Sequence, residues 1–278
     1  MAPDMADDTD EDRIAAFYAR GLERDRLARG SGELEFIRTQ RLLERHLPAS
    51  PADIVDVGGG PGRYAVWLAG RGYRVHLVDP VPLHVEQARA AASQSHVALA
   101  GADVGDARAL QFPDESVDAV LLLGPLYHLP ERADRVRALA EAGRVCKRGG
   151  IVIAATISRF ASTFDGLRGG YLADPEFRKI VDDDLRDGRH VNPTNHPAYF
   201  TTAYFHRVEE IVDECSAAGL TSQTTLGIEG LGWLMPDLDA WLADASRKAV
   251  LLNAIERLET ESSLLGMSAH LLTVAVRL

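Results

Sequence analysis

The chain has few cysteines, no long apolar run and no excess of basic residues. Only Cys146 and Cys215 occur among 278 residues, and a pair without metal-ligand spacing excludes a disulfide framework or a cysteine zinc site. No stretch approaches the ~20 apolar residues of a membrane span. The formal net charge is −11. The sequence also shows no basic stripe that would indicate a nucleic-acid groove. We therefore expect a cytoplasmic protein with no metal, no membrane segment and no nucleic-acid partner.

Much of the negative charge is concentrated at the N terminus. Six acidic residues and no basic residue occur among the first twelve, namely Asp4, Asp7, Asp8, Asp10, Glu11 and Asp12. This composition predicts a disordered acidic tail over residues 1–12. It is also the reverse of the basic start of a signal peptide. The whole chain is 46% hydrophobic and 26% charged, which is typical of an α/β protein.

Short apolar segments alternate with helical segments over residues 50–157. The predicted strands lie at residues 54–57, 73–78, 96–100, 117–123 and 151–155, and a last strand is predicted at residues 270–276. The fourth strand is almost continuously apolar, as expected for a strand that is covered on both faces. The order β-α-β-α-β-β-α-β predicts a doubly wound, mostly parallel sheet.

Two segments interrupt this alternation, at residues 157–204 and 230–266. The first of them, with Phe205 at its edge, holds 8 of the 18 aromatic residues: Phe160, Phe164, Tyr171, Phe177, Tyr199, Phe200, Tyr204 and Phe205. We expect one domain over residues 13–278, with a helical lid at residues 13–47. The two interrupting segments are predicted to form helical caps on that domain.

A glycine-rich loop follows the first clear strand and has the sequence Asp56-Val57-Gly58-Gly59-Gly60-Pro61-Gly62. Glycine permits positive φ and lets the backbone approach a ligand closely. The helix after the loop offers free N–H groups and the positive end of its dipole to an anionic group. A dinucleotide fingerprint requires a third glycine three residues after the second, where this chain has Arg63. The spacing is instead acid-x-Gly-x-Gly-x-Gly, with Asp56 as the acid.

Two further landmarks follow the next strands. Asp79, followed by Pro80, ends the second predicted strand, where a carboxylate accepts hydrogen bonds from both ribose hydroxyls of a nucleoside cofactor. This position suits a nicotinamide cofactor as well as an adenosyl cofactor. The stretch Gly105-Asp106-Ala107-Arg108 then precedes the apolar fourth strand.

In this order, these motifs resemble class I S-adenosylmethionine-dependent methyltransferases, in particular the type 11, UbiE-like group of bacterial small-molecule enzymes. The resemblance covers residues 50–157. It implies a Rossmann-like, seven-stranded, mostly parallel sheet with an antiparallel last strand, together with helical cap insertions. It also implies S-adenosylmethionine as cofactor, bound by Tyr18, Asp56, Gly58, Gly60, Gly62, Asp79, Pro80, Asp106, Ala107 and Gly124. Asp106 would bind the adenine amino group, with Asp103 as the alternative.

The chemistry of methyl transfer limits what a sequence reveals. The sulfonium methyl is already activated, so positioning of the acceptor is the main catalytic device. A general base matters only where the acceptor loses a proton. Tyr127 and His128 follow the fourth strand, where the acceptor is expected, and a histidine there acts as a base or an acceptor contact or packs against the next helix. We assign both to the catalytic site.

The aromatic segment predicts the character of the acceptor. A cap rich in aromatic side chains, with Trp233 and Trp241 as possible additions, favours a small aromatic or heteroaromatic molecule, as in secondary metabolism. The sequence leaves open whether carbon, nitrogen or oxygen is methylated, and whether the protein is a monomer or a homodimer. The alternatives are an NAD-dependent oxidoreductase and a non-methylating S-adenosylmethionine-binding protein of the same fold.

Overall fold

One central sheet organises the protein in a computed structural model, which describes residues 9–18, 26–194 and 196–278. Its strands are β1 (Asp53–Val57), β2 (Arg74–Asp79), β3 (Gly101–Val104), β4 (Val117–Leu122), β5 (Cys146–Ser158), β6 (Arg189–His190), β7 (Ala203–His206), β8 (Leu220–Gly227) and β9 (His270–Arg277). The first five are parallel and lie in the order β3-β2-β1-β4-β5.

The sheet continues past β5 in antiparallel fashion. β9 pairs antiparallel with β5, with Ile151 opposite Val276, and β8 pairs antiparallel with β9. The resulting order β3-β2-β1-β4-β5-β9-β8 is the predicted seven-stranded sheet with an antiparallel last strand. The short strands β6 and β7 extend the tip of β5, so the described residues contain nine strands rather than seven.

The third strand lies later than the sequence predicted. Residues 96–100 were expected to form it, but pairing with β2 runs from Gly101 to Val104. The backbone N–H groups of His96 and Val97 instead donate to carbonyls at the end of the preceding helix. An apolar run therefore closes a helix here, and the strand begins only after it.

Ten α-helices occur in the described residues: α1 (Asp10–Tyr18), α2 (Gly30–His46), α3 (Arg63–Ala69), α4 (Pro82–Gln94), α5 (Arg132–Val145), α6 (Ala161–Gly169), α7 (Pro175–Asp187), α8 (Val208–Ala217), α9 (Leu238–Ala243) and α10 (Ala245–Glu256). Helices α2, α3 and α4 pack on one face of the sheet, and α5 and α8 pack on the other. Alternate residues of β4 supply both cores, Leu121 to one and Leu122 to the other, because strand side chains alternate between faces.

Helices α1 and α2 lie in the segment predicted as a lid, and α6, α7, α9 and α10 lie in the segments predicted as caps. Asp10 already begins α1, so helical structure starts before the predicted end of the acidic tail; residues 1–8 lie outside the described residues. The fully buried Arg38 of α2 donates from Nε to the Ile228 carbonyl at 2.9 Å and pairs with Glu259. This buried guanidinium joins the lid helix α2 to the second cap. Within the described part of the chain, no helix has the length and apolar character needed to cross a bilayer.

Candidate active site

A cavity of about 360 Å³ opens where β1, β2 and β4 end. We call it the glycine-loop cavity. Of the residues predicted to bind a cofactor or to act in catalysis, those that line it are Tyr18, Asp56, Gly58, Gly60, Asp79, Pro80, Asp106, Ala107, Gly124, Tyr127 and His128. Gly62 is the exception. It precedes α3 with φ of 85°, and a Cβ there would come within 2.8 Å of the Ala88 side chain, so its role is to let α3 approach α4.

The glycine loop wraps the end of β1 in conformations that favour glycine. Gly58 and Gly60 have φ of 69° and 56°, in the left-handed region. A Cβ on Gly58 would lie 2.8 Å from Pro125, whereas a Cβ on Gly60 would meet no atom within 4 Å. The backbone at Gly60 therefore borders open space in the cavity, as a cradle for a ligand requires.

Asp56 lies at the base of this cavity and is fully buried. Among the described residues, neither carboxylate oxygen has a hydrogen-bond partner. Burial raises the pKa of Asp56 to about 7, and the charge of Asp79 adds to the increase. The N–H of Ala65 opposes the increase without forming a hydrogen bond of normal geometry. A buried carboxylate without a donor calls for a ligand that supplies one.

Asp79 organises the loop as well as facing the cavity. Its Oδ2 accepts from the Gly60 N–H at 2.8 Å, and its Oδ1 accepts from the Val81 N–H at 2.9 Å. The Nδ1 of His84 lies 3.0 Å from the same Oδ1. His84 also lines the cavity, and its buried Nε2 has no hydrogen-bond partner among the described residues. Sequence reasoning missed His84. Its position in the first turn of the helix that follows β2 could have predicted that it lies near Asp79.

The third landmark also lines the cavity. Asp106 follows the end of β3 and is held by Arg108, whose side chain lowers the pKa of the Asp106 carboxyl. Ala107 lines the cavity beside it. Asp103, the alternative, lies within β3, where its carboxylate is 2.7 Å from His76 Nε2, and it does not line the glycine-loop cavity. The geometry thus favours Asp106 over Asp103.

His128 and Tyr127 line the cavity from the turn that follows β4. The Nε2 of His128 lies 2.5 Å from the Tyr18 hydroxyl, which brings the lid helix α1 down on the cavity. Burial lowers the pKa of His128 to about 4 and outweighs the Thr202 backbone and the Asp79 charge, which raise it. His128 is therefore neutral at physiological pH. Its buried Nδ1 makes no hydrogen bond of normal geometry within the described residues.

A second cavity, of about 440 Å³, lies under the caps; we call it the cap cavity. Its aromatic lining is Tyr18, Tyr127, Phe177, Tyr199, Phe200, Phe205 and Trp233. Four of these belong to the aromatic segment, as predicted, and Trp233 joins them. Trp241 lines neither cavity and instead donates to Asp237 at 3.1 Å. Tyr204 lies outside as well, with the Arg135 guanidinium 3.6 Å above its ring.

The two cavities share one wall. Five residues line both of them, namely Tyr18, Arg26, Glu35, Tyr127 and His270. Sequence reasoning missed Arg26, Glu35 and His270, which lie far apart in the chain and belong to no motif. They meet because Glu35 of α2 lies between Arg26, which donates to it, and His270 at the start of β9, a contact that no local pattern encodes.

Comparison with known proteins identifies the core of the chain. Residues 55–154 match the methyltransferase domain family. The chain is 38% identical over 104 residues to an uncharacterized methyltransferase of Mycobacterium tuberculosis, which is 37% of this chain and 39% of that protein. It is 32% identical over 148 residues to a ubiquinone biosynthesis O-methyltransferase of Methylocella silvestris, which is 53% of this chain and 50% of that protein. The chain thus spans about two fifths to half the length of these curated relatives.

A solved structure shares the fold over a longer span. The PH0226 protein of Pyrococcus horikoshii superposes with a TM-score of 0.61 at 16% identity, covering 95% of this chain and 99% of that one. The core of this chain is therefore a class I methyltransferase domain, as its motifs predicted, and S-adenosylmethionine is the cofactor of that domain. The relatives' names do not share one acceptor, so the similarity identifies the domain and not its acceptor.

Proposed function

We propose that the protein transfers a methyl group from S-adenosylmethionine to a small aromatic or heteroaromatic molecule held in the cap cavity. The observation that carries the proposal is the wall that the two cavities share. An in-line displacement places the methyl donor and the attacking atom on opposite sides of one short gap. Two cavities that meet at one wall supply that arrangement.

The glycine-loop cavity fits the methyl donor through its unsatisfied polar atoms. Among the described residues, buried polar atoms without partners occur on Asp56, Arg63, His84 and His128, all of which line this cavity. Such atoms cost free energy unless a ligand meets them. The methionine ammonium would meet the carboxylate of Asp56, and the methionine carboxylate would meet Arg63 and the N terminus of α3.

The nucleoside part of the donor would lie along the ends of β2 and β3. Asp79 would accept the ribose hydroxyls, with the free Nε2 of His84 beside it. Asp106 and the Ala107 N–H would meet the adenine ring. Gly58 and Gly60 would admit the donor close to the backbone, and Gly124 would border its methionine part.

The cap cavity suits an aromatic acceptor by size and lining. Its volume of about 440 Å³ lies within the ~300–1,000 Å³ range of small-molecule sites. Its aromatic side chains would stack on or edge against a ring. We propose that Tyr127 and His128 orient the acceptor. A histidine whose pKa is about 4 is a weak base at neutral pH, so a positioning role suits His128 better than proton removal.

Calorimetry with S-adenosylmethionine, S-adenosylhomocysteine and NAD tests the donor. We expect binding of both adenosyl compounds and no binding of NAD. Release of S-adenosylhomocysteine with a panel of aromatic acceptors, each compared with a saturated analogue of similar size, tests the transfer. NAD binding without S-adenosylmethionine binding would overturn the proposal. Donor binding without turnover across the whole panel would favour a non-methylating protein of this fold.

A further inference from the structure

A histidine between two glutamates lies in the wall that the two cavities share. His270 is the first residue of β9, and its Nδ1 lies 2.6 Å from Glu229 Oε1 and 3.9 Å from Glu35 Oε2. The His270 side chain is 19% exposed, whereas the Glu229 side chain is 1% exposed. Two carboxylates beside one partly buried imidazole favour its protonated form.

Both carboxylates are themselves held in place. Glu229 Oε2 accepts from Ser268 Oγ and from the His270 backbone N–H, each at 3.0 Å. Arg26 donates to both oxygens of Glu35, at 2.5 and 3.0 Å. The glutamates therefore face the imidazole in a fixed geometry rather than swinging into solvent.

The charged groups around the ring act in opposite directions. Burial lowers the pKa of His270, but the charges of Glu35 and Glu229 outweigh it and raise that pKa to about 9. Arg26 opposes the increase. Tyr127 also faces the ring, at 6.5 Å between centroids. The net effect is an imidazolium at neutral pH.

The second nitrogen of this imidazolium is available to a ligand. Nδ1 is turned toward Glu229, so Nε2 lies on the opposite edge of the ring, away from that carboxylate. In the part of the chain that the structure describes, Nε2 makes no hydrogen bond and is not fully buried. A charged N–H in a cavity wall donates best to an anionic oxygen.

We propose that His270 binds the ionised hydroxyl of the acceptor, so that the acceptor is a phenol or an enol that is methylated on oxygen. This rests on the proposed function. The acceptor enters as its oxyanion after releasing its proton to water. An oxygen lone pair forms the new bond to the methyl carbon, the carbon–sulfur bond breaks, and its electron pair returns to sulfur. His270 keeps its proton throughout and stabilises the oxyanion that attacks.

A metal ion is the competing occupant of this cluster. Glu35, Glu229 and His270 each offer one ligand atom, and these atoms lie within 4.8 Å of one another. A cation would have to displace the proton of His270 and the guanidinium of Arg26, because those donors already occupy the ligand atoms. The hydrogen bonds therefore favour an imidazolium over a metal centre.

A chromogenic phenol tests the proposal without turnover. The protein, saturated with S-adenosylhomocysteine, is titrated with para-nitrophenol and with a nitronaphthol, and each is compared with its methyl ether. Phenolate absorbance across a pH series gives the pKa of the bound probe. We expect at least one phenol to bind more tightly than its ether, with its pKa lowered by at least about one unit. Equal binding of phenols and ethers, an unshifted probe or no binding of either phenol would overturn the proposal.

Variants separate His270 from general effects on the fold. His270→Asn should abolish the probe shift, whereas His96→Asn, at an exposed histidine remote from both cavities, should leave it unchanged. Glu229→Gln keeps the shape of the cluster but removes one negative charge, so it should reduce the shift even where His270→Asn proves unstable. A full shift in Glu229→Gln, or one that requires added Zn²⁺ or Mg²⁺, would contradict the imidazolium.

The proposed methyltransferase function is tested by measurements that do not depend on His270. Binding of S-adenosylhomocysteine and methyl transfer to any acceptor in the panel report on that function alone. Transfer to a nitrogen or carbon atom by a protein that shows no preference for phenols would overturn the role of His270 and leave the methyltransferase proposal standing.

Discussion

The glycine-loop cavity and the cap cavity meet at one wall but are built in different ways. Most of the first is made of strand ends and the turns that follow them, so many of its residues lie within short segments such as residues 56–63 and 79–84. The second is assembled from lid, cap and sheet residues that come together only in the folded chain. His128, which lines the first cavity, and His270, which lines both, also differ. Burial alone leaves His128 neutral, whereas two glutamates keep His270 charged.

The largest effect should come from the carboxylate that serves both the loop and the donor. Asp79→Ala removes the acceptor of the Gly60 and Val81 N–H groups together with the proposed ribose contact. We expect S-adenosylmethionine binding to weaken by ~2–3 kcal/mol, roughly 30- to 150-fold. Calorimetry measures this, with Asp103→Ala as the control that should bind normally. Unchanged affinity in a folded Asp79→Ala variant would remove Asp79 from the donor site.

The next effect concerns acid sensitivity. The pKa of His128 lies at about 4 in the folded protein, below its ordinary value, so the unfolded chain takes up a proton first as the pH falls. Stability is therefore present above about pH 6.5 and is lost toward pH 4. Between about pH 7.5 and 5 we expect the wild type to lose ~2 kcal/mol more unfolding free energy than His128→Asn.

Urea unfolding at a series of pH values measures this difference, with His96→Asn as the reference variant. Parallel curves for the wild type and His128→Asn would show that His128 titrates normally. The sign is opposite for His270, whose raised pKa makes its contribution full below about pH 6.5 and diminishing as the pH rises through about 9.

A smaller effect should show that the cap cavity binds the acceptor and not the donor. Phe200 lies in the cap cavity between Phe17 and His128 and has φ of 62°, a strained conformation for a non-glycine residue. Phe200→Leu removes the ring and should raise the KM of an aromatic acceptor about tenfold, from a loss of ~1–1.5 kcal/mol. Donor affinity should be unchanged. Phe164→Leu, outside both cavities, is the matched control, and an equal loss of donor affinity in Phe200→Leu would refute the separation.

The smallest effect should come from the lid. Tyr18→Phe keeps the ring but removes the hydrogen bond to His128. One such bond contributes ~0.5–1 kcal/mol net, so donor affinity should fall about two- to fivefold. Tyr73→Phe, which removes a hydrogen bond to Pro48 remote from the cavity, should not change the affinity. A loss as large as that of Asp79→Ala would mean that the lid, rather than the loop, dominates donor binding.

The glycine-loop cavity was predictable because parallel strands bring their carboxyl ends to one edge. Asp56 lies near the end of β1, Asp79 ends β2 and Asp106 follows β3, so their convergence followed from the order of elements alone. Two details did not follow. Gly62 lies in the motif but faces α4 rather than the cavity, and β3 starts late because the end of α4 uses the donors of residues 96 and 97.

The cap cavity was predictable only in its composition. The excess of aromatic residues indicated its lining, but it did not separate Trp233, which lines the cavity, from Trp241, which does not. Glu35, Glu229 and His270 come from three elements distant in sequence, and no periodicity places them together. Their meeting depends on the tertiary packing of α2 against the start of β9.

The buried Arg38 limits how the proposed ligands would enter and leave. Swinging α2 away would leave the Glu259 carboxylate without this partner in an apolar setting, a rearrangement that costs several kcal/mol. Helix α1 is held at its edge by lighter contacts, such as the Tyr18–His128 hydrogen bond and the exposed Asp10–Arg189 ion pair, and exposed ion pairs contribute ~0–1 kcal/mol. In the proposed function, moving α1 would therefore cost less free energy than moving α2. The spent donor would leave beneath α1, and α2 would stay in place.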